Sequence, residues 1–327
     1  MEIVLVVFSV IFIAISFIPL LPSSHWTVRV WEFPRLQIAT LLAVLLVVYT
    51  LKAISYTLSV LDVVLVLGLA VSLLYQCMWI IPYTPLYKRE VRRVAAESKE
   101  TLSILSSNVY MPNDGFQKLL SHVHTTQPDF LVTLESNKKW QDHLSELEED
   151  YPHQKFCPLE NLYGMHVYSK YAFENVTLRF LIEDDVPSIR ATINVDGQKV
   201  TLYFLHPKPP SPTENEYAKP RDIELHVVGK EISKQSGPII VAGDLNDVAW
   251  SPTTRHFKKI SGLLDPREGR GFFNTFHAHY PLVKWPLDHV FHSKHFSLVR
   301  IERLSDIGSD HYPLFTQLAL VAPPNRD

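Results

Sequence analysis

Residues 308–315 read GSDHYPLF, an acid and an imidazole side by side after a Gly-Ser turn and before an apolar run. Alone, such a tripeptide is an ordinary polar turn entering a strand. It gains meaning from other polar residues that also stand at the ends of strand-like runs. Asn108 ends ILSSNV, Glu135 ends DFLVTLES, and His206 ends TLYFLHP. Asp244 and Asn246 end PIIVAGDLND, Asp288 begins LDHVF, and Asp310 and His311 precede YPLF. Singly, an Asn or Asp after a strand is a turn former that bonds its own backbone. Together they define one candidate site.

The runs that carry these residues alternate in period. TLSILSSNVY reads as a strand, DGFQKLLSHVHTTQ as a helix, PDFLVTLES as a buried strand and KKWQDHLSELEEDY as a second helix. Strand-like stretches follow at YGMHVYSK, ENVTLRFL, IRATINV and KVTLYFLHP, with DGQ as a hairpin turn between the last two. A helical run near residues 215–234 precedes GPIIVAGDLND, and LDHVFHS, FSLVRIERL and YPLFTQLALV close the pattern. Helices early and midway, with many strands between, fit an α/β sandwich of two sheets.

The first third is different. Residues 3–21, 36–51 and 63–81 are three uncharged or nearly uncharged apolar runs, each close to the 20 or so residues a bilayer core requires. The first run follows Met1-Glu2 and lacks the basic flank of a signal peptide, so it is read as a span. Trp26, Trp31, Tyr75, Trp79 and Tyr83 stand near the ends of the runs, where amphipathic rings favour the headgroup level. Three spans place the first loop and the C-terminal part on one side. That side collects Arg29, Arg35, Lys88, Arg89, Arg92 and Arg93 against Lys52 opposite, so the large domain is expected in the cytoplasm.

The expected organisation is therefore a transmembrane region over residues 1–82, a basic juxtamembrane linker over 83–99, a catalytic domain over 100–321 and a tail over 322–327. Within the linker, LYKREVRRVAAESKE has helical spacing, with Val91, Val94 and Ala95 on one face. Beyond residue 94 the chain holds 24 basic and 30 acidic residues, a formal charge of −6. That balance argues against a broad footprint for duplex nucleic acid. Cys77 lies in an apolar run and Cys157 in the polar part, which points to neither a disulfide nor a zinc site. His277 and His279 are read without a metal role.

In their order, SSNV, PDFLVTLES, YGMHVYSK, GDLND, LDHVF and GSDHYP resemble the endonuclease/exonuclease/phosphatase superfamily over about residues 101–320. Its members include DNase I-like and exonuclease III-like nucleases, sphingomyelinases and inositol polyphosphate 5-phosphatases. With spans in front, the chain resembles the bacterial membrane-anchored branch, which implies a multi-pass protein of the inner membrane. The resemblance implies a DNase I-like two-sheet sandwich, a Mg²⁺ or Mn²⁺ cofactor and hydrolysis of a phosphodiester by in-line attack of water. It implies Glu135 as a direct ligand of the ion, with Asn108 and Asp310 supplying oxygens to the metal or its waters. It further implies Asp244 at the attacking water, Asn246 on a phosphate oxygen, Asp288 orienting His311, His311 on the scissile phosphate and His206 donating to the leaving group. One departure is the sequence LHPKPP, in which Pro207, Pro209 and Pro210 stiffen the loop after His206.

The substrate stays open at this level among a lipid, a small phosphoester and a nucleic acid, the last making the chain a nuclease on DNA or RNA. A reading of another class is a catalytically silent membrane protein that binds a phosphorylated ligand or partner. Expected partners are the bilayer and the phosphate ester, and the oligomeric state is open.

Overall fold

The computed structural model describes residues 2–95 and 100–321. Residues 96–99 of the expected linker and the tail at 322–327 lie outside the described residues.

Three helices are long and apolar enough to cross a membrane, over Glu2–Leu20, Arg35–Ser55 and Val60–Tyr83. The core of each is α-helix: α1 (Glu2–Phe17), α3 (Arg35–Ser55) and α4 (Val60–Ile80), with a single turn, α2 (Trp26–Arg29), between the first two. The second helix continues past Lys52, so its length meets the requirement that residues 36–51 alone barely approach. At one end of the bundle Lys52 Nζ lies 2.9 Å from Asp62 and 3.2 Å from Glu2, and Ser59 with Asp62 forms a capping box that starts α4. The opposite end meets the rest of the chain.

That remainder is a sandwich of two sheets. The first has six strands in the order β10-β11-β1-β2-β4-β3 and the second five, β5-β6-β7-β8-β9. The first sheet comprises β1 (Thr101–Asn108), β2 (Phe130–Leu134), β3 (His153–Cys157), β4 (Met165–Ser169), β10 (Phe296–Arg303) and β11 (Leu314–Leu320). The second comprises β5 (Phe173–Phe180), β6 (Pro187–Val195), β7 (Gln198–Leu205), β8 (Ile239–Asp244) and β9 (Asp288–His292). Asp196 and Gly197, both at positive φ, make the tight turn joining β6 to β7, as DGQ predicts. Helices α5 (Phe116–Thr126) and α6 (Lys138–His143) cover the first sheet, while α7 (Lys219–Ile232) and α8 (Pro252–Ser261) cover the second.

The inner faces meet in one core that includes Leu102, Ile104, Val132 and Leu318 from one sheet and Ile189, Leu202, Phe204 and Ile240 from the other. Strands buried on both faces explain the near-continuous apolar runs in β2 and β8. Cys77 and Cys157 are both free.

The linker departs from its expected helix. Residues 84–95 contain no helix, and Arg93 instead forms a parallel bridge to Leu298. Val94 N–H donates to Leu298 O and Leu298 N–H to Arg92 O, each at 2.9 Å. The physical reason is the open edge of β10, whose backbone groups need partners. Val91 turns into the core of the sandwich, and that burial is unavailable to a free helix in water.

The bundle and the sandwich also share a core. Ala39, Ile80 and Tyr83 from the spans cluster with Val248, Ala249, Trp250 and Leu287, and Phe33, Trp79 and Trp285 pack against them. Burial of each large apolar side chain is worth about 1.5–3 kcal/mol, so this contact outweighs any exposed ion pair at the same boundary. Tyr83 Oη donates to Ala249 O at 2.6 Å and Trp250 Nε1 to Glu32 O at 2.7 Å. Of the aromatic residues expected at the headgroup level, Trp79 and Tyr83 therefore also fasten the sandwich to the spans.

Candidate active site

The strand order brings the polar strand ends to one edge. β1 and β2 run parallel, so Asn108 and Glu135 emerge together, while β11 runs antiparallel to β1 and brings in the turn that precedes it. In the other sheet β7 and β8 are parallel, which sets His206 beside Asp244. β9 runs antiparallel to β8, and Asp244 and Asp288 are paired in register. All eight predicted positions, Asn108, Glu135, His206, Asp244, Asn246, Asp288, Asp310 and His311, thus lie at this edge.

Their contacts form two groups. In the first, Asn108 Nδ2 donates to Glu135 Oε1 at 2.7 Å and to Asp244 Oδ2 at 3.2 Å. Glu135 sits at φ 57°, a left-handed conformation costly for a non-glycine residue. Burial pushes its carboxyl up to about 8, with Asn108 and His311 pulling the other way. In the second group His311 Nδ1 lies 2.8 Å from Asp288 Oδ2, and His311 Nε2 lies 3.5 Å from Asp244 Oδ2. Burial alone would lower His311, but Asp288 and Asp244 push it up to about 10, so its ring is an imidazolium at neutral pH. Asp288, although buried, is held below the usual carboxylate range by His311. Burial and Asp288 push Asp244 up to about 7, against His311, the Asn246 N–H and Asn108.

His206 stands apart. Its Nε2 lies 3.8 Å from Asp244 Oδ2, neither ring nitrogen has a hydrogen-bond partner, and burial lowers it to about 3. It is therefore neutral, with its polar atoms uncommitted. Asn246, at φ 50°, donates through Nδ2 to Pro207 O at 3.0 Å, which ties the catalytic loop to the proline-rich segment after His206.

The opening motif acquires its geometry from Ser309. Its hydroxyl donates to Asn108 O at 2.8 Å and accepts from His311 N–H at 3.0 Å. Asp310 and His311 leave an irregular turn ahead of β11, and both line the same cleft. Thr275, which sequence reasoning passed over, accepts from Asp288 N–H at 3.2 Å. Tyr163, also unmarked in sequence, places its ring 5.2 Å from that of His206.

Asp244, Asp288 and His311 have ligand-type atoms within 4.8 Å of one another. An imidazolium already bonded to a carboxylate is a poor metal ligand, and this trio reads as an ion-paired group. Glu135, Asn108 and Asp310 offer the better donor set. They are oxygen donors, they suit a hard divalent ion, and no Lys or Arg among the described residues lines the cleft beside them. A carboxyl that burial holds at about 8 ionises at neutral pH once a cation compensates it.

The sequence profile of the Endonuclease/Exonuclease/phosphatase family matches residues 105–311, more than half the chain. The chain belongs to this family. Its members are phosphoric ester hydrolases, in keeping with the cluster at the strand ends. Among solved structures, TDP2 of D. rerio in complex with a single-strand DNA product is 18% identical, covering 67% of this chain and 99% of its own with a TM-score of 0.56. A family protein from Bacteroides thetaiotaomicron is 17% identical and covers 69% and 100%, at TM-score 0.54. Sphingomyelinase C from Streptomyces griseocarneus is 16% identical and covers 67% and 99%, at TM-score 0.50. At such identities the likeness is one of fold. No curated protein matches the chain by sequence.

Proposed function

We propose that this chain is a membrane-anchored phosphodiesterase, with residues 1–82 as anchor, 83–99 as junction and 100–321 as catalytic domain. The observation that carries the reading is the buried Asp244, whose Oδ2 lies 3.5 Å from the imidazolium of His311 and 3.8 Å from the uncommitted ring of His206. A carboxylate near 7 is matched to taking a proton from water at neutral pH. Asp244 takes that proton as the water attacks phosphorus. His311, held by Asp288, carries positive charge to a phosphate oxygen and stabilises charge that grows in the transition state. Asn246 holds a second oxygen through its amide, and the neutral ring of His206 donates a hydrogen bond to the departing oxygen.

Glu135, Asn108 and Asp310 are the residues that would hold Mg²⁺ or Mn²⁺. Such an ion supplies charge stabilisation on the phosphate oxygens. The basic flanks of the spans favour a cytoplasmic location for the domain.

The test uses the full chain in detergent with bis(p-nitrophenyl) phosphate, in Mg²⁺, in Mn²⁺ and after chelation. Nitrophenolate release that needs the metal and vanishes in His311→Ala is the expected result. A well-folded protein with no turnover in either metal would favour the silent phosphate-binding reading instead.

A further inference from the structure

The cleft beside the catalytic carboxylates is not built by the sandwich alone. It has a volume of about 410 Å³, with Glu135, Asn246, Asp310 and His311 at its polar end. Trp26, Val30 and Phe33, all from the loop between the first two spans, line it as well. Phe33 meets Trp285 edge-on at 5.5 Å, Trp285 stacks on Phe276 at 6.0 Å, and Phe276 lies 5.0 Å from the ring of His311. An unbroken line of apolar rings thus runs from the foot of a span to the catalytic imidazolium.

The loop is fixed in this place. Trp26 N–H donates to Glu216 O at 2.8 Å and Ala218 N–H to Ser24 O at 2.7 Å. Arg29 bridges Glu32 at 2.8 Å and Asp222 at 3.1 Å, and Asp222 holds Arg221, whose Nη1 donates to Asn246 O at 2.8 Å. On the far rim, Gln37 in the first turn of α3 donates to Leu282 O at 2.9 Å. This puts the tip of the 277–284 loop level with the start of a span, with Leu282 81% and Tyr280 57% exposed.

We infer that the loop between the first two spans is a substrate-selecting wall of the active site, and that the substrate is a phospholipid phosphodiester drawn from the bilayer. The apolar part of the lipid lies along Trp26, Val30, Phe33 and Trp285, and its phosphate reaches Asp244 and His311. This rests on the hydrolase reading above. Water bonds to phosphorus, one P–O ester bond breaks and Asp244 receives the water proton; the departing oxygen, hydrogen-bonded by the neutral His206 ring, takes its proton from solvent, to which Asp244 returns its own, leaving an alcohol and a phosphomonoester. A nucleic-acid strand, in contrast, is gripped mainly by Lys and Arg on its phosphates, and this cleft has neither among the described residues. Exposed Leu282 and Tyr280 beside a span fit insertion into the headgroup layer.

The experiment compares the full chain in vesicles of phosphatidylethanolamine and phosphatidylglycerol, scored by loss of lipid with both possible product pairs counted, with its turnover of bis(p-nitrophenyl) phosphate and of a single-stranded oligonucleotide. The variants are Trp26→Ala, Phe33→Ala and Leu282→Asp, the last at a side chain that is 81% exposed. Each is expected to lower the ratio of kcat/KM for lipid to that for the soluble diester by about tenfold or more, the scale of one lost apolar contact. An unchanged ratio in all three, an oligonucleotide cleaved faster than lipid, or turnover of the soluble diester without any of lipid overturns the inference and leaves the hydrolase standing. Turnover of neither diester overturns the hydrolase reading, and this inference with it.

Discussion

His311 Nδ1 and Asp288 Oδ2 lie 2.8 Å apart, Asp288 at the start of β9 in the second sheet and His311 in the turn that leads into β11 of the first. Their ion pair joins the sheets at the active edge and fixes the ring in the orientation that points Nε2 at Asp244. Asp288→Asn keeps the shape and removes the charge, so it is expected to lower kcat on the order of 10² or more, as His311→Ala does. His206→Ala removes a donor to the departing oxygen, and it is expected to recover much of its loss on nitrophenyl esters relative to alkyl esters. Equal defects for His206→Ala on both ester types would reject that division of roles.

Glu135→Gln preserves the hydrogen-bonding size of the side chain but withdraws the carboxylate from the proposed ion. Turnover is expected to fall on the order of 10² or more. The protection of the native fold by Mn²⁺, read as a rise in melting temperature on adding the ion, should disappear in the same variant. A melting temperature raised equally in both would move the ion elsewhere.

Gly243, next to Asp244, has φ 142°, and a Cβ there would stand 2.0 Å from the carbonyl oxygen of Leu205. The backbone cannot give way without parting β7 from β8, and with them His206 from Asp244. Gly243→Ala is expected to cost on the order of 3 kcal/mol or more, measured as a lower denaturation midpoint together with lost activity.

Glu32 in the loop between the first two spans is held up to about 7 from its ordinary 4.5 by burial and by Asp247, with Arg29 acting in the opposite direction. A carboxyl with a higher pKa in the fold binds its proton more tightly there than in the open chain. Its contribution to stability is full below about 4.5 and is lost as pH rises through about 7. Melting temperature measured from pH 4 to 8 should show this decline in the parent, and Glu32→Gln should make it shallower, since Asp244 and Glu135, also held up by burial, keep their share.

Much of the site was legible because each member is a polar residue at the end of an apolar run, and strand ends converge when sheets are stacked. Asn108, Asp244 and Asp310 could be placed in this way before any coordinates. The linker was misread because Val91, Val94 and the bases between them fit a helical period in so short a window, whereas Leu298 on the edge of β10, which decides the matter, is 205 residues from Arg93 in sequence. Helix α8 passed unnoticed despite a serviceable signal, since Ser251-Pro252 caps its start and Gly262, at positive φ, ends it. No local pattern marks Thr275 or the buried Arg221. Trp26 reads as an interfacial residue and Phe33 carries no mark in the sequence, and only the contact between span and sandwich reveals them as part of the cleft.

The stitched junction has a kinetic meaning. Gly269 N–H donates to Pro82 O at 2.8 Å, and Val94 pairs with Leu298, so the described chain after the third span is bound to the sandwich on both sides of Arg89. The catalytic domain therefore has no swinging radius. On the proposed reading, with the cleft at the bilayer and a lipid as substrate, it would sample only the patch of membrane it floats in, and encounter would be a two-dimensional search. Velocity should then follow the mole fraction of substrate in the plane rather than its bulk concentration, and adding inert lipid at constant substrate should slow turnover by surface dilution.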